Sequence, residues 1–213
     1  MHWKRTIFTL CAAAIGFAVL ASYWYVEVRD DGGDADATPP AVLAAIDAPF
    51  VTMVDPMKGP KDAKTTVVEF GDHACPYCKS AQDSLDRLLT EHPADVRIVW
   101  KSAPSPLHPG SDTAAEAALC AGRQGKFWEY HARLFEDSGA FTQASMAILA
   151  NDLGLDSTQF NECIVQGLTR PLVERTVTEA RALGLTSIPT LFIDGVRYEG
   201  ALSYDQLLEA TGL

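Results

Sequence analysis

The chain has 213 residues, of which 47% are hydrophobic, and its 17 Lys and Arg against 28 Asp and Glu give a formal net charge of −11. This hydrophobic fraction is ordinary for a globular protein. A surface this acidic repels phosphate backbones, which argues against nucleic acid as a partner.

The first feature in the chain is an uncharged, largely apolar run over residues 6–26 that follows Lys4 and Arg5. About 20 such residues span a bilayer, and a basic flank favours the cytoplasmic side. We therefore predict a signal anchor over residues 1–26, a single transmembrane helix that leaves the rest of the chain facing the periplasm or exterior of the cytoplasmic membrane. The alternative is a signal peptide cleaved after Ala21, which would leave a soluble periplasmic protein.

Residues 27–48 form a segment rich in Asp, Gly, Ala and Pro. Such a segment cannot build a core, so we predict a flexible tether with an r.m.s. reach of about 25 Å. The remaining residues, 49–213, are enough for one domain with a sizeable core.

Three strands are predicted in the first part of this domain. Phe50–Val54 is a candidate short strand, and Thr65–Phe70 is apolar enough to be buried on both faces of a sheet. The helical pattern over Pro76–Glu91 separates the second strand from a third, Val96–Trp100. A strand–helix–strand crossover implies that the two strands pair in parallel.

The second part of the domain is mostly helical. Gly, Pro, Asp and Ser separate helical segments at residues 111–122, 126–136, 142–152, 157–166 and 171–183. Thr190–Ile193 and Val196–Glu199 then predict a hairpin, since Asp194-Gly195 between them is a strong turn signal. Residues 203–210 predict a final helix.

The stretch FGDHACPYC, residues 70–78, stands at the junction of a predicted strand and a predicted helix. Two cysteines three apart in the first turn of a helix have their sulfurs close enough to form a disulfide. The unpaired N–H groups and partial positive charge of the helix N-terminus stabilise a thiolate at Cys75. Pro76 suits the first helical position, where no helical hydrogen bond is lost. The motif therefore predicts a redox-active pair, Cys75 and Cys78.

A single CxxC motif can also bind zinc, form a structural disulfide or simply pack in the core. Structural zinc normally needs a second pair of ligands, and the sequence contains no second CxxC and no HxxxH. The position between a strand and a helix favours the redox-active pair over a structural disulfide or core packing.

Three motifs make the chain resemble the DsbA-like branch of the thioredoxin superfamily. They are VEFGDHACPYC at 68–78, CAGRQGKFW at 120–128 and SIPTLFIDG at 187–195. The likeness covers nearly everything after residue 50. It implies an α/β structure, the thioredoxin fold, with an all-helical domain inserted over about residues 105–185 between its two halves.

The resemblance also implies roles for individual residues. Pro189 would follow a cis peptide bond and pack opposite the cysteines, and Ile188 would offer backbone hydrogen bonds to an extended substrate. Glu69 would be buried under the disulfide and relay protons, the alternative being a strand residue that faces solvent. The resemblance assigns no role to His73, and from its position alone two interpretations stay open, a positive charge near Cys75 or an exposed loop residue.

Cys120 and Cys163 fall in the predicted helical insertion. An oxidising compartment favours a structural disulfide between them, and some relatives of the resembled family pair cysteines within this insertion. The alternative is two buried free thiols, since Cys packs well as a small hydrophobic residue.

The predicted activity is that of a thiol:disulfide oxidoreductase without a cofactor. We expect an oxidase that introduces disulfides into exported proteins through Cys75 and Cys78, with Pro76 and Tyr77 as the active-site dipeptide. Its expected partners are the thiols and disulfides of unfolded or exported proteins and a membrane redox protein that regenerates it.

The direction of exchange remains open in the sequence. The dipeptide Pro76-Tyr77 lacks the histidine of the strongest oxidases of this family and also occurs in reductases and isomerase-like relatives, so a periplasmic reductase is the first alternative. Isomerases usually carry an N-terminal dimerisation module, for which the tether has too few apolar residues, and we expect a monomer. A Cu(I)-binding metallochaperone using Cys75 and Cys78 as soft ligands is an alternative of another class.

Overall fold

The structure of the chain is a computed structural model. It describes residues 47–137 and 140–213. The predicted anchor over residues 1–26 and most of the predicted tether over residues 27–48 lie outside the described residues. Within the described residues, no helix combines the length and the apolar character needed to cross a membrane.

The described residues contain five strands. They are β1 Met57–Lys58, β2 Thr65–Gly71, β3 Val96–Ser102, β4 Thr190–Ile193 and β5 Val196–Glu199. These strands form one mixed sheet, which has the strand order β1-β3-β2-β4-β5. β3 runs parallel to β2, as the sequence predicts, and β1, β4 and β5 pair antiparallel with their neighbours.

The helices follow the predicted order, and most of their boundaries agree with the prediction to within one residue. In the part of the chain that the structure describes, one helix follows β2, five lie between β3 and β4, and one follows β5. They are α1 Pro76–Glu91, α2 Ser111–Gly122, α3 Phe127–Glu136, α4 Gln143–Asp152, α5 Ser157–Val165, α6 Arg170–Ala182 and α7 Tyr204–Thr211.

The predicted strand at Phe50–Val54 is wrong, since the first strand of the described chain is β1, farther along the sequence. Side chains satisfy the backbone groups that a strand would use for pairing. The Phe50 N–H donates to Glu179 at 2.7 Å, and the Phe50 carbonyl accepts from Lys101 Nζ at 2.6 Å. The apolar side chains that suggested a strand face solvent instead, Met53 being 94% exposed.

The sheet is covered on both faces, with β2 at its centre. On one face Val67 packs with Leu85 of α1 and Leu207 of α7. On the other face Val68 and Phe70 pack with residues that include Leu183, directly after α6. The predicted burial of β2 on both faces is confirmed.

The helices between β3 and β4 contribute most of a further apolar cluster. This cluster joins them to the part of the chain that carries the sheet, because it also contains Cys75, Cys78 and Trp100. A disulfide joins Cys120 of α2 to Cys163 of α5, with Cα atoms 5.9 Å apart and 43 residues of sequence separation. Closing a loop of that length stabilises the fold by about 4 kcal/mol in the chain-entropy description.

A buried charge cluster fixes the segment before β1 to the sheet and to α6. Lys101 of β3 is fully buried, and its Nζ lies 2.9 Å from Asp55 and 3.0 Å from Glu179. Arg175 of α6 completes the cluster with a 2.5 Å contact to Asp55. Two cations therefore face two carboxylates, which is the arrangement that makes burial of charge tolerable.

Lys101→Met is expected to lower the free energy of unfolding by about 3–5 kcal/mol, because it leaves Asp55 and Glu179 buried with one cation fewer. Lys64→Met is the matched control, since Lys64 pairs with Asp95 at 2.6 Å but its side chain is 80% exposed, and its stability should stay near that of the wild type. Urea unfolding curves of both variants measure the difference. Equal losses in the two variants would contradict this account of the buried cluster.

Candidate active site

Cys75 and Cys78 lie where β2 ends and α1 begins. Cys75 is the N-cap of α1 and Pro76 is its first residue. Cys75 keeps 5% of its surface exposed, whereas Cys78 is fully buried one turn into the helix. Both are free thiols, so the structure describes the dithiol form. Of the two cysteines, only Cys75 retains any exposed surface.

The surroundings of Cys78 favour its protonated form. Burial raises the pKa of the Cys78 thiol well above its ordinary value, and the charge of Glu69 raises it further. The Asp72 N–H donates to the Cys78 sulfur at 3.4 Å. Cys78 is thus held in place as a neutral thiol behind the more exposed Cys75.

The loop before β4 lies beside the cysteines. The Ile188–Pro189 peptide bond is cis. The Ile188 carbonyl oxygen lies 4.0 Å from the Cys75 sulfur. β4 follows directly and pairs antiparallel with β2, the strand that ends at the cysteines. The pairing of two central strands therefore brings Ile188 and Cys75 together from opposite ends of the sequence.

Two clefts adjoin this contact. The proline cleft, about 240 Å³, lies between the loop after β3, α6 and the residues before Pro189, and Ile188 lines it. The insertion cleft, about 310 Å³, is lined by His73, Cys75 and Lys79 on one side and by Phe135 and Phe141 of the helical insertion on the other. Cys75 lines the insertion cleft, and Ile188, whose carbonyl oxygen is 4.0 Å from the Cys75 sulfur, lines the proline cleft.

Glu69 is fully buried in β2, where it pairs in register with Trp100 and Leu191 of the neighbouring strands. Neither of its carboxylate oxygens has a hydrogen-bond partner within the described residues. Loss of solvation raises the pKa of Glu69 to about 8, with a further contribution from Asp86. Glu69 is therefore mostly protonated at neutral pH, and the alternative of a solvent-facing residue is wrong.

Asp72 connects the cysteine loop to the loop after β3, although no motif in the sequence singles it out. One carboxylate oxygen accepts from the Ala74 N–H at 2.8 Å. The other accepts from the Ser105 N–H at 3.0 Å and from His108 Nδ1 at 2.6 Å. An Asp that binds the amide two residues on is a recognisable turn signal, but nothing in the sequence points to the contacts with Ser105 and His108.

His73 is buried, and it lies in a hydrogen-bonded row with His131 and Gln82. Its Nε2 is 3.0 Å from His131 Nδ1, and His131 Nε2 is 2.9 Å from Gln82 Oε1. Burial lowers the pKa of His73 to about 4 and that of His131 well below its ordinary value. Both alternatives for His73 are therefore wrong, since it is neither exposed nor positively charged at neutral pH. Aromatic rings of Trp100 and Phe135 pack against the imidazole ring.

The remaining residues singled out from the sequence lie outside the clefts or on their rim. Cys120 and Cys163 line neither cleft beside Cys75. Tyr77 projects into solvent beside the cysteines, 71% exposed. Across the described residues, no group of three or more His, Cys, Asp or Glu side chains is arranged to hold a metal ion.

A family model described as thioredoxin matches residues 52–211 of the chain. Among characterised proteins, the chain is similar to the Na(+)/H(+) antiporter NhaA 1 of Salinispora arenicola (strain CNS-205), with 36% identity over 157 residues. That match covers 73% of this chain and 24% of the antiporter. The chain thus spans about a quarter of the length of the characterised relatives it matches.

Solved structures give matches over most of their own length. A thioredoxin-like oxidoreductase from Silicibacter pomeroyi DSS-3 has a TM-score of 0.70 and 30% identity, with 76% of this chain and 92% of that one covered. DsbA2 of Pseudomonas aeruginosa has a TM-score of 0.61 and 26% identity, with 72% and 90% covered.

Glu69→Gln should change how stability depends on pH. Below pH 4.5 the wild-type Glu69 is protonated in both the folded and the unfolded state. Between pH 4.5 and about 8 the unfolded state ionises while the folded state stays neutral. The wild type should therefore lose stability relative to the variant by at most roughly 1.4 kcal/mol for each pH unit in this window.

Urea unfolding of both proteins under reducing conditions, at pH values from 4.5 to 8.5, measures this difference. Parallel stability curves across the whole window would show that Glu69 ionises as readily in the folded protein as in the unfolded chain.

Proposed function

The chain belongs to the DsbA-like branch of the thioredoxin superfamily, and from this premise we propose that it is an oxidase that introduces disulfides into exported proteins. Thiol:disulfide exchange is the chemistry common to the family. The observation that carries the proposal is the arrangement of the cysteines, with Cys75 at the N-terminus of α1 and Cys78 buried behind it. No cofactor takes part in the proposed reaction.

The first step forms a mixed disulfide. A substrate thiolate attacks the Cys75 sulfur of the oxidised protein, the Cys75–Cys78 bond breaks, and its electron pair stays on the Cys78 sulfur. That sulfur takes up a proton, since burial raises the pKa of Cys78. The protonated carboxyl group of Glu69 is the nearby acid that supports this transfer.

The second step releases the product. A second substrate thiolate attacks the substrate sulfur of the mixed disulfide, and Cys75 leaves as a thiolate stabilised by the N-terminus of α1. The substrate loses two electrons and two protons and gains a disulfide, and the enzyme becomes a dithiol. A membrane redox partner then accepts the two electrons and restores the Cys75–Cys78 disulfide.

Substrate positioning is assigned to the loop before β4. The closeness of the Ile188 carbonyl to Cys75, at 4.0 Å, supports a role in binding a backbone N–H of the substrate. Pro189 and the active-site dipeptide Pro76-Tyr77 would form the surface around the reacting sulfur. A polypeptide bound there would extend into the proline cleft and the insertion cleft.

The Cys120–Cys163 disulfide supports maturation where disulfides are stable, which suits an oxidase and a periplasmic reductase equally. One observation favours oxidation over reduction. Glu69 is protonated at neutral pH, so it is prepared to give a proton to Cys78, as the oxidising direction requires. The reducing direction uses the same cysteines with the attack reversed.

We also propose that residues 1–26 anchor the protein in the cytoplasmic membrane, with the catalytic domain outside and residues 27–48 as its tether. The basic flank at Lys4 and Arg5 and the length of the apolar run support this arrangement. The similarity to NhaA antiporters does not carry ion transport to this chain, because the match covers only 24% of the antiporter.

Serine substitutions at the two cysteines test the proposed order of attack. Cys75→Ser should abolish exchange, because a hydroxyl group is not ionised at neutral pH. Cys78→Ser should instead accumulate mixed disulfides when it is incubated with a reduced unfolded protein and an oxidant. The Cys75 thiolate is still present in this variant, but Cys78 is no longer there to resolve the mixed disulfide. Non-reducing gels with mass spectrometry measure the adducts. Adducts on Cys78 in the Cys75→Ser variant, with none on Cys75 in the Cys78→Ser variant, would reverse the assignment.

The reduction potential of the Cys75–Cys78 pair decides the direction. Strong oxidases of this superfamily lie near about −120 mV and reducing thioredoxins near about −270 mV. We expect a value at or above about −180 mV, measured by equilibration with glutathione buffers. A value close to that of thioredoxin would assign the protein as a reductase.

Fractionation of cells that express the full chain tests the anchor. The full-length protein should appear in the cytoplasmic membrane and resist extraction by high salt and alkaline carbonate. A protein recovered in the periplasm without residues 1–21 would show that the segment is a cleaved signal peptide.

A further inference from the structure

The row formed by His73, His131 and Gln82 joins three parts of the molecule. His73 belongs to the loop before Cys75, Gln82 lies one turn beyond Cys78 in α1, and His131 belongs to α3 of the helical insertion. All three side chains are at least 96% buried, with exposures of 4%, 1% and 4% for His73, His131 and Gln82. None of them has a part in the proposed exchange reaction.

The hydrogen bonds of the row have a fixed direction. Gln82 Oε1 is a carbonyl oxygen and can only accept, so the proton between it and His131 belongs to His131 Nε2. A neutral His131 then has an unprotonated Nδ1, which accepts from His73 Nε2–H. Burial keeps both rings neutral. His73 is therefore left with its proton on Nε2 and a lone pair on Nδ1.

The lone pair of His73 Nδ1 is available to a ligand in the insertion cleft. Within the described residues Nδ1 has no hydrogen-bond partner, as the only hydrogen bond of the ring is that of Nε2. Five polar side-chain atoms of the described residues are both fully enclosed and without a hydrogen-bond partner, and Nδ1 is not one of them. Since Nδ1 lacks a partner, it is not fully enclosed. His73 lines the insertion cleft together with Cys75. An unpaired nitrogen that is not enclosed, on a ring that lines a cleft, is an acceptor open to whatever binds there.

We propose that His73 is a substrate-binding residue whose Nδ1 accepts a hydrogen bond from a backbone N–H of the polypeptide joined to Cys75. This proposal rests on the proposed function, because it concerns the same polypeptide substrate. An extended chain carries N–H groups on both sides of its reacting cysteine. The Ile188 carbonyl accepts on one side of Cys75, and His73 Nδ1 provides the second acceptor on the side of the insertion cleft.

His131 and Gln82 are positioning residues in this scheme. They fix the tautomer of His73, so that an acceptor and not a donor faces the cleft. Because His131 belongs to α3, the helical insertion determines which ring nitrogen of His73 is unprotonated and available to substrate.

Two substitutions at position 73 separate the cleft acceptor from the bond to His131. Asn is short, and its Oδ1 can take the place of Nδ1 in the cleft, but it cannot reach His131. Gln is longer and can donate to His131 from its Nε2, but it leaves no acceptor in the place of Nδ1. The readout is the rate of reduction of the oxidised protein by a reduced two-cysteine peptide, divided by its rate with dithiothreitol.

We expect this ratio to stay within about two-fold of the wild type for His73→Asn and to fall about five-fold for His73→Gln, as the loss of one neutral hydrogen bond predicts. Any other pattern overturns the proposal: a fall in His73→Asn alone, equal falls, or no fall in either variant. If the wild type exchanges with dithiothreitol but not with the peptide, the proposed function itself fails.

Nitrogen-15 NMR of the imidazole rings tests the tautomer in the wild-type protein, without any substitution. The expected result is a His73 with protonated Nε2 and unprotonated Nδ1, unchanged between pH 6 and pH 8. A proton on Nδ1 would place a donor in the cleft and overturn the proposal, whatever the variants show.

Discussion

The arrangement of the site depends on the contacts of one residue, Asp72. Its carbonyl accepts from the Cys75 N–H at 3.0 Å, and its own N–H donates to the Cys78 sulfur at 3.4 Å. Its buried carboxylate meanwhile binds the loop after β3 through Ser105 and His108. A single residue therefore fixes the two cysteines relative to each other and relative to Ser105, which lines the proline cleft.

Buried ionisable groups lie on both faces of the central sheet, and their surroundings differ. Lys101 faces two carboxylates and the Phe50 carbonyl, so its charge is compensated and stabilises the fold. Glu69, on the neighbouring strand, has no partner for either oxygen within the described residues. An acid without compensation is held neutral until the pH approaches 8, and this is the condition in which it can supply a proton. The compensated group maintains structure, and the uncompensated one is suited to chemistry.

Local patterns in the sequence predicted most of the fold, because helix and strand periods, turn residues and the CPYC motif are properties of short segments. The prediction of a strand at Phe50–Val54 was wrong because the local pattern of residue types carries no information about distant residues. Lys101 and Glu179 form the hydrogen bonds of the Phe50 backbone that a neighbouring strand would otherwise form. His73 was misjudged for the same reason, since its burial depends on His131, 58 residues away. Asp72 gave a local turn signal, but its role follows from Ser105 and His108. Predictions failed where a contact joins residues that are far apart in sequence.

The Cys120–Cys163 disulfide within the helical insertion has a consequence for how the protein matures. Under the proposed direction of exchange, a newly exported chain is a client of its own reaction until this bond has formed. The first copies in a cell must obtain it from another oxidant, and later copies can obtain it from finished ones. Each finished copy would then add to the oxidant that is available to later copies.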